Sequence, residues 1–177
     1  MATAAARRPL TRALRVSALV AQMSIAIPPA SHVFAYGTLM FPAVWRLVTG
    51  RDERGLPGRL AGHAVFRVRD AVYPGMIWTG GASTVPGVVY LNVDGAAIKR
   101  LDEFEDTFYE RREVSAVFAD GAECRCCAYV VPAHRQQLLT REPWTAERFS
   151  ARGDLARFLN RYPGFTRLHE RPRHLIT

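Results

Sequence analysis

Residues 32–39 read HVFAYGTL, in which five residues suited to a short apolar strand run into a glycine and a threonine. Phe41 and Pro42 follow closely, and proline is favoured in the first turn of a helix. The apolar spacing predicts that this helix buries Val44, Trp45, Leu47 and Val48. The chain therefore begins its folded part as a strand, a tight glycine loop and a helix.

The glycine in this stretch also has a chemical use. Gly37 lets the backbone turn sharply and approach a ligand. The N–H groups that follow it lie at a helix start, where an anion is favoured. A strand, a glycine and a helix are nevertheless a common connection, and no Gly-Lys-Thr follows as in a phosphate-binding loop. The loop by itself leaves both a binding role and an ordinary turn open.

Short strands and few helices make up the remaining chain. Strands are predicted over 58–70, 85–93 (interrupted at 86–87), 109–118 and 123–131, and turns over 55–58, 73–76, 80–81 and 119–121. Asp94 is placed to cap a helix that ends at 102–105, and one further amphipathic helix is predicted from Trp144 to Leu159, ending at 162–164. Hairpin-linked strands with few helices predict an α+β fold with a mostly antiparallel sheet, open or closed.

The net charge of +8 raises the question of a nucleic-acid partner. Four arginines and no acid lie in 1–32, and the tail 166–177 carries three arginines against one glutamate. Residues 33–165 hold 17 basic and 15 acidic residues, so the middle of the chain is nearly neutral. Basic ends on a neutral middle are poor support for a surface that follows phosphates. We expect no nucleic-acid partner, and no apolar stretch is long enough to predict a membrane partner.

Cys124, Cys126 and Cys127 lie within four positions of one another. Thiols so close in sequence do not link distant segments, and the histidines add no partner at zinc-ligand spacing. We therefore predict small side chains on a strand, no metal and no cofactor. Such thiol usage is typical of a reducing cytoplasm.

The two ends differ in composition from the middle. Residues 1–31 are rich in alanine and arginine and are expected to form a flexible extension: a targeting peptide, a short helix over 10–23 with a linker, or a stretch preceding a true start at Met23. We expect one domain over 32–165 and a basic tail over 166–177.

A cluster of carboxylates at 102–106 contains the second candidate for chemistry. Asp102, Glu103 and Asp106 are interpreted as a solvated polar turn. Glu105 differs because it follows Phe104 and precedes Tyr109 by four residues. If the turn directs Glu105 inward, apolar surroundings raise its pKa and make it a proton carrier near neutral pH. Spacing alone does not establish this, and it leaves the solvated turn open.

Taken together, these motifs give the chain a family resemblance. The run at 34–39 resembles the Y-G-[ST]-L motif of the gamma-glutamylcyclotransferase/AIG2-like family. YPG at 73–75 and VPGVVY at 85–90 resemble two further family segments, and LDEFE at 101–105 with YERREV at 109–114 resembles its L-D-x-[FY]-E…Y-x-R-x-x-V block. The matches occur in family order over about 33–165.

The resemblance implies a small, mostly antiparallel β-barrel with flanking helices, and an enzyme that releases 5-oxoproline from γ-glutamyl or γ-glutamylamine compounds. In that reaction the substrate's own amine attacks its γ-carbonyl, so no nucleophile, metal or cofactor is required from the enzyme. Glu105 is the expected general acid and base. The loop formed by Tyr36, Gly37, Thr38 and Leu39 is expected to bind the substrate's α-carboxylate. Tyr109 and Tyr129 match family tyrosines near the cavity, although a core role is an equal alternative for each.

Two positions depart from the family pattern. Asp106 replaces the usual glycine after the glutamate, where an extra carboxylate is expected to alter the turn or raise the pKa of Glu105 further. Thr38 replaces serine, which leaves backbone binding unchanged. The alternative to an enzyme is a non-catalytic small-molecule-binding or interaction module on the same fold. The identity of the leaving amine and the oligomeric state stay open.

Overall fold

The computed structural model describes residues 31–161. Its strands are Ser31–Ala35 (β1), Leu56–Ala61 (β2), His63–Val68 (β3), Pro74–Trp78 (β4), Thr84–Val93 (β5), Glu110–Phe118 (β6), Glu123–Val130 (β7) and Leu139–Pro143 (β8). Its helices are Pro42–Thr49 (α1), Gly95–Glu105 (α2), Ala146–Ala151 (α3) and Asp154–Arg161 (α4), with 3-10 turns at Thr38–Met40, Asp106–Phe108 and Ala133–Leu138. Ser31, expected to end the extension 1–31, begins β1 instead. The rest of that extension, the helix stop at 162–164 and the tail 166–177 lie outside these residues.

Five strands close into a barrel in the order β1-β5-β2-β6-β7. All neighbours are antiparallel except β1 and β7, which pair in parallel where Val33 faces Cys127. An interior cluster takes alternate residues from all five strands, as period-two side chains require. A second cluster lies between the outer face and the helices, with Trp45 and Leu101 fully buried in it. The predicted α+β barrel with flanking helices is confirmed.

A second, three-stranded sheet with the order β4-β3-β8 was not predicted. The expected single strand over 58–70 is wrong, because Gly62 takes a left-handed φ of 71° and divides it between the two sheets. The turn at 73–76 is also wrong: Pro74 begins the edge strand β4, a position where its missing N–H costs no sheet bond. Residues 56–58 belong to β2, so the loop expected at 55–58 largely disappears.

The remaining elements follow the predictions with two exceptions. Asp94 caps α2 through a 2.8 Å bond from the Ala97 N–H to its Oδ1, and the turn at 119–121 joins β6 to β7. β5 runs unbroken through 86–87. The expected helix from Trp144 to Leu159 is divided into α3 and α4 at Gly153, whose φ is 71°.

Candidate active site

The glycine loop follows β1 directly and is buried throughout. Tyr36 and Gly37 lead from the strand into the 3-10 turn Thr38–Met40. A Cβ atom on Gly37 would lie 2.6 Å from Cγ of Pro74, closer than real Cβ contacts, so only glycine lets the loop pack against β4. The N–H groups of Thr38 and Leu39 form no hydrogen bond within residues 31–161. Both are therefore candidate donors to an anion.

The hydroxyl of Tyr36 links the glycine loop to β7 and to β4 by hydrogen bonds. It donates a hydrogen bond of 2.7 Å to the carbonyl of Tyr129 on β7, and it accepts one of 3.2 Å from the N–H of Met76 on β4. The Val131 N–H in turn donates to the Met76 carbonyl at 2.8 Å. The loop is thereby fixed where the barrel meets the second sheet.

Glu105 is the last residue of α2 and is half-buried. Phe104 beside it packs against the outer core cluster and lies edge-to-face with Phe158 of α4, at 6.2 Å between ring centroids. Burial raises the pKa of Glu105 from 4.5 to about 8, because a carboxylate loses hydration in such surroundings. The group can therefore exchange a proton close to neutral pH.

Four tyrosines surround this carboxyl group. Burial first, and then the charge of Glu105, raises the pKa of Tyr36 and of Tyr73. Burial also raises the pKa of Tyr109 well above its ordinary value, with further contributions from Tyr36 and Glu105. The pKa of Tyr129 is raised by burial, by Asp102 and more weakly by Glu105. All four hydroxyls therefore keep their protons at physiological pH.

Like the Tyr36 hydroxyl, two more of these hydroxyls have defined acceptors. Tyr109 donates a 2.6 Å hydrogen bond to the carbonyl of Pro74, and Tyr129 donates a 2.8 Å bond to Oδ1 of Asp102. Because each hydroxyl has given its single proton to the protein, its oxygen can act toward a ligand only as an acceptor. Such oxygens suit the N–H donors of an ammonium group.

The structure brings together the sequence-predicted residues Glu105, Tyr36, Tyr109 and Tyr129, and it places the loop of Gly37, Thr38 and Leu39 directly after Tyr36. Two members were missed. Tyr73 precedes β4 within the YPG run, which was interpreted only as a turn. Asp102 was assigned to a solvated turn, and its side chain is 43% exposed, yet it accepts from Tyr129 and pairs with Arg111 at 3.4 Å.

Asp106 begins the 3-10 turn that follows Glu105. Its side chain lies outside the described part, so its expected effect on the pKa of Glu105 stays a prediction. No cluster of metal-ligating side chains occurs among the described residues. The three cysteines lie on β7 as free thiols, which confirms their expected place on a strand.

A cavity of about 590 Å³ lies where β2 and β6 separate beyond their two paired positions. Trp78, Pro132 and Gln136 are among the residues that line it. Neither Glu105 nor the glycine loop belongs to its walls. The cavity is therefore distinct from the tyrosine cluster.

The sequence profile of the family described as gamma-glutamyl cyclotransferase, AIG2-like, matches residues 33–149. The chain belongs to this family. The matched region contains Glu105, the glycine loop and all four tyrosines.

Curated AIG2-like relatives come from Arabidopsis thaliana. AIG2-like protein C is 34% identical over 94 residues, which cover 53% of this chain and 54% of that protein. AIG2-like protein D is 33% identical over 91 residues, covering 51% and 59%. The chain thus spans between about half and three-fifths of the length of these relatives.

Solved structures support the AIG2-like fold. An Arabidopsis thaliana protein gives a TM-score of 0.60 at 23% identity, covering 77% of this chain and 82% of its own. An AIG2-like protein from Mus musculus gives 0.54 at 21%, covering 67% and 90%, and a gamma-glutamyl cyclotransferase gives 0.52 at 19%, covering 58% and 67%. At these identities the likeness establishes the fold.

Within residues 31–161, every helix is too short or too polar to span a membrane.

Proposed function

We propose that this chain is a cyclotransferase that forms 5-oxoproline from a γ-glutamyl or γ-glutamylamine compound. The observation that carries the proposal is the half-buried Glu105, whose pKa of about 8 suits it to proton transfer beside the glycine loop. Family membership supports the same reaction class. The substrate's amine attacks its γ-carbonyl carbon, the five-membered ring closes, and the bond from that carbon to the leaving amine breaks.

Glu105 moves the protons in this scheme. Its carboxylate takes a proton from the substrate's ammonium group, which frees the nitrogen lone pair for attack. The resulting carboxylic acid then donates a proton to the leaving amine, so the enzyme ends the cycle as it began. One group of pKa near 8 serves both steps, because neither of its protonation states is rare near neutral pH.

The glycine loop supplies orientation. The N–H groups of Thr38 and Leu39 are available to hold the α-carboxylate of the substrate. The acceptor oxygens of Tyr109 and Tyr129 suit its ammonium group. Holding both groups folds the γ-glutamyl chain toward its ring-closing geometry, and orientation of this kind can remove several kcal/mol from a barrier.

A panel of γ-glutamyl dipeptides, γ-glutamylamines and glutathione, assayed for 5-oxoproline, tests the proposal. We expect product from some member of the panel, and a loss of at least about 100-fold in kcat for Glu105→Gln, since general acid–base catalysis contributes about that much or more. Glu103→Gln is the matched control, because Glu103 is exposed on the same helix. Its turnover should be unchanged.

Two outcomes contradict the proposal. Unchanged turnover in Glu105→Gln, with product still formed, would exclude Glu105 as the proton carrier. Absence of 5-oxoproline across the whole panel would exclude the cyclotransferase reaction on these substrate classes and favour the binding module.

A further inference from the structure

The hydrogen bonds of Tyr129 connect two parts of the candidate site. Its carbonyl oxygen, on β7, accepts the 2.7 Å bond from the Tyr36 hydroxyl. Its own hydroxyl donates the 2.8 Å bond to Asp102 on α2. Asp102 lies three residues before Glu105, about one helical turn, so the two carboxyl groups share a helix face. Tyr129 therefore connects α2, the helix that ends at Glu105, to the hydroxyl of Tyr36.

We propose that Asp102 is a positioning residue, which acts through Tyr129 to hold Glu105 in its half-buried place beside Tyr36. The same bond sets the direction of the Tyr129 hydroxyl proton and leaves the oxygen free as an acceptor. The expected effect of Asp102 on turnover rests on the proposed function, whereas its expected effect on the surroundings of Glu105 does not.

The difference in exposure between the two partners supports this role. The side chain of Asp102 is 43% exposed and would be well hydrated without any partner. Tyr129 is only 5% exposed, and its buried hydroxyl needs an acceptor. Without Asp102, the hydroxyl would either go unpaired or seek another acceptor among the groups around Glu105. The buried Tyr129 hydroxyl thus needs this hydrogen bond, whereas the exposed Asp102 carboxylate does not.

Arg111 on β6 completes the arrangement around Asp102. Its guanidinium group lies 3.4 Å from Oδ2 of Asp102, on the oxygen that Tyr129 does not use. The Arg111 side chain is 39% exposed, so this ion pair is screened by solvent. We expect Arg111 to contribute little to the position of Asp102. Arg111→Gln is therefore a control for changes at the exposed side of Asp102.

Among the described side chains, the ionisable groups that interact with Glu105 come from four parts of the fold. They are Tyr36 after β1, Tyr73 before β4, Tyr109 before β6 and Tyr129 on β7. All four phenols keep their protons through neutral pH because their pKa values are raised. The ionisation of these phenols therefore does not disturb a titration of Glu105 through neutral pH.

The test is an NMR titration of the side-chain carboxyl carbon of Glu105 in protein labelled with ¹³C-glutamate, with Glu105→Gln used to assign the signal. Asp102→Ala removes both the charge and the acceptor. Asp102→Asn removes the charge but retains an oxygen acceptor, and Tyr129→Phe removes the bond while the charge of Asp102 stays. All variants are first checked for native circular dichroism, and both conservative variants preserve side-chain volume.

We expect Tyr129→Phe to lower the pKa of Glu105 by at least about one unit, because a loosened helix end lets water reach the carboxyl group. Asp102→Ala should lower it at least half a unit further than Asp102→Asn does. In the double variant Asp102→Ala/Tyr129→Phe, the two pKa shifts of Glu105 should not add up in full. The pKa should fall by no more than the larger of the two single shifts plus the shift that Asp102→Asn causes by removing the charge. Arg111→Gln should leave the titration unchanged.

Turnover gives an independent measurement of the same role. In an active enzyme, kcat should fall about tenfold in Asp102→Ala and in Tyr129→Phe, with most of that loss recovered in Asp102→Asn. Equal Glu105 titrations in Asp102→Ala and Asp102→Asn, together with no shift in Tyr129→Phe, would overturn the positioning role. Because the titration needs no substrate, an inactive wild-type protein would refute the proposed function and still decide this inference.

Discussion

At the scale of single residues, the raised pKa of Glu105 comes from its surroundings. The same helix end carries Glu103, which is exposed, and only Glu105 follows a phenylalanine that packs into the outer core. That packing draws the helix end inward and removes water from one carboxyl group. Tyr36, Tyr109 and Tyr129 donate their hydroxyl protons to other protein acceptors, so none of these three protons offsets the lost hydration of Glu105.

The raised pKa of Glu105 predicts a dependence of stability on pH. In the folded protein the group keeps its proton up to about pH 8, whereas in the unfolded chain it loses the proton near 4.5. The contribution of Glu105 to the free energy of unfolding is therefore fully present below pH 4.5. It is lost as the pH rises to about 8, because ionisation of the group then favours the unfolded state.

Glu105→Gln should remove this dependence. We expect the variant to be more stable than the wild type by about 2–4 kcal/mol at pH 9, and nearly equal to it at pH 4. Urea unfolding at the two pH values measures the difference, with Glu103→Gln as the control that follows the wild type. Equal free energies of unfolding for wild type and Glu105→Gln at pH 9 would contradict the raised pKa.

At the scale of elements, the contact between the glycine loop and β4 sets the shape of the site. Gly37 has a φ of −125°, which any residue adopts, so its requirement for glycine is one of space. Pro74 fills that space with a rigid ring, and its carbonyl also holds Tyr109. A displacement of the loop against Pro74 would therefore also disturb the hydrogen bond of Tyr109.

Gly37→Ala should accordingly destabilise the protein by about 1–3 kcal/mol, the usual cost of overpacking, and should lower kcat/KM. Pro74→Ala in the same chain removes the Cγ and Cδ atoms that the new methyl group meets. We expect this double variant to recover part of the lost stability in urea unfolding. A Gly37→Ala protein as stable as the wild type, or a double variant with no recovery, would contradict the steric account.

Sequence patterns predicted some elements well because their causes are local. The Asp94 cap and the 119–121 hairpin each depend on residues a few positions apart. The second sheet was missed because β4 and β8 are only five residues long, and neither alternates clearly. Gly62 and Gly153 also redirect the chain through positive φ values, which a glycine in sequence permits but does not require.

The candidate site was predictable to a similar extent. Glu105 and the glycine loop emerged because motifs pair them in family order. Asp102 was assigned only to a solvated turn because its hydrogen-bond partner Tyr129 lies 27 residues away in the chain, on β7. Tyr73 was interpreted only as part of a turn, and spacing along the chain does not show that it lies near Glu105.

At the scale of the whole molecule, the site lies where the barrel, the second sheet and the end of α2 meet. β1 supplies the loop, β7 supplies Tyr129, and β4 supplies the Met76 N–H and the Pro74 carbonyl. No single element contains the site, so its geometry depends on how the two sheets pack. The nearly neutral middle of the chain suits a small zwitterionic substrate better than a polyanion.

The most direct test of the account is the pH dependence of kcat for 5-oxoproline formation, in the wild type and in Glu105→Gln. We expect the wild-type rate to rise about tenfold per pH unit on the acidic side and to level off near pH 8, where Glu105 becomes a carboxylate. Glu105→Gln should be at least about 100-fold slower and should lack this inflection. A wild-type rate that already levels off near pH 4.5, or a variant that keeps both the rate and the inflection, would contradict a proton carrier at Glu105.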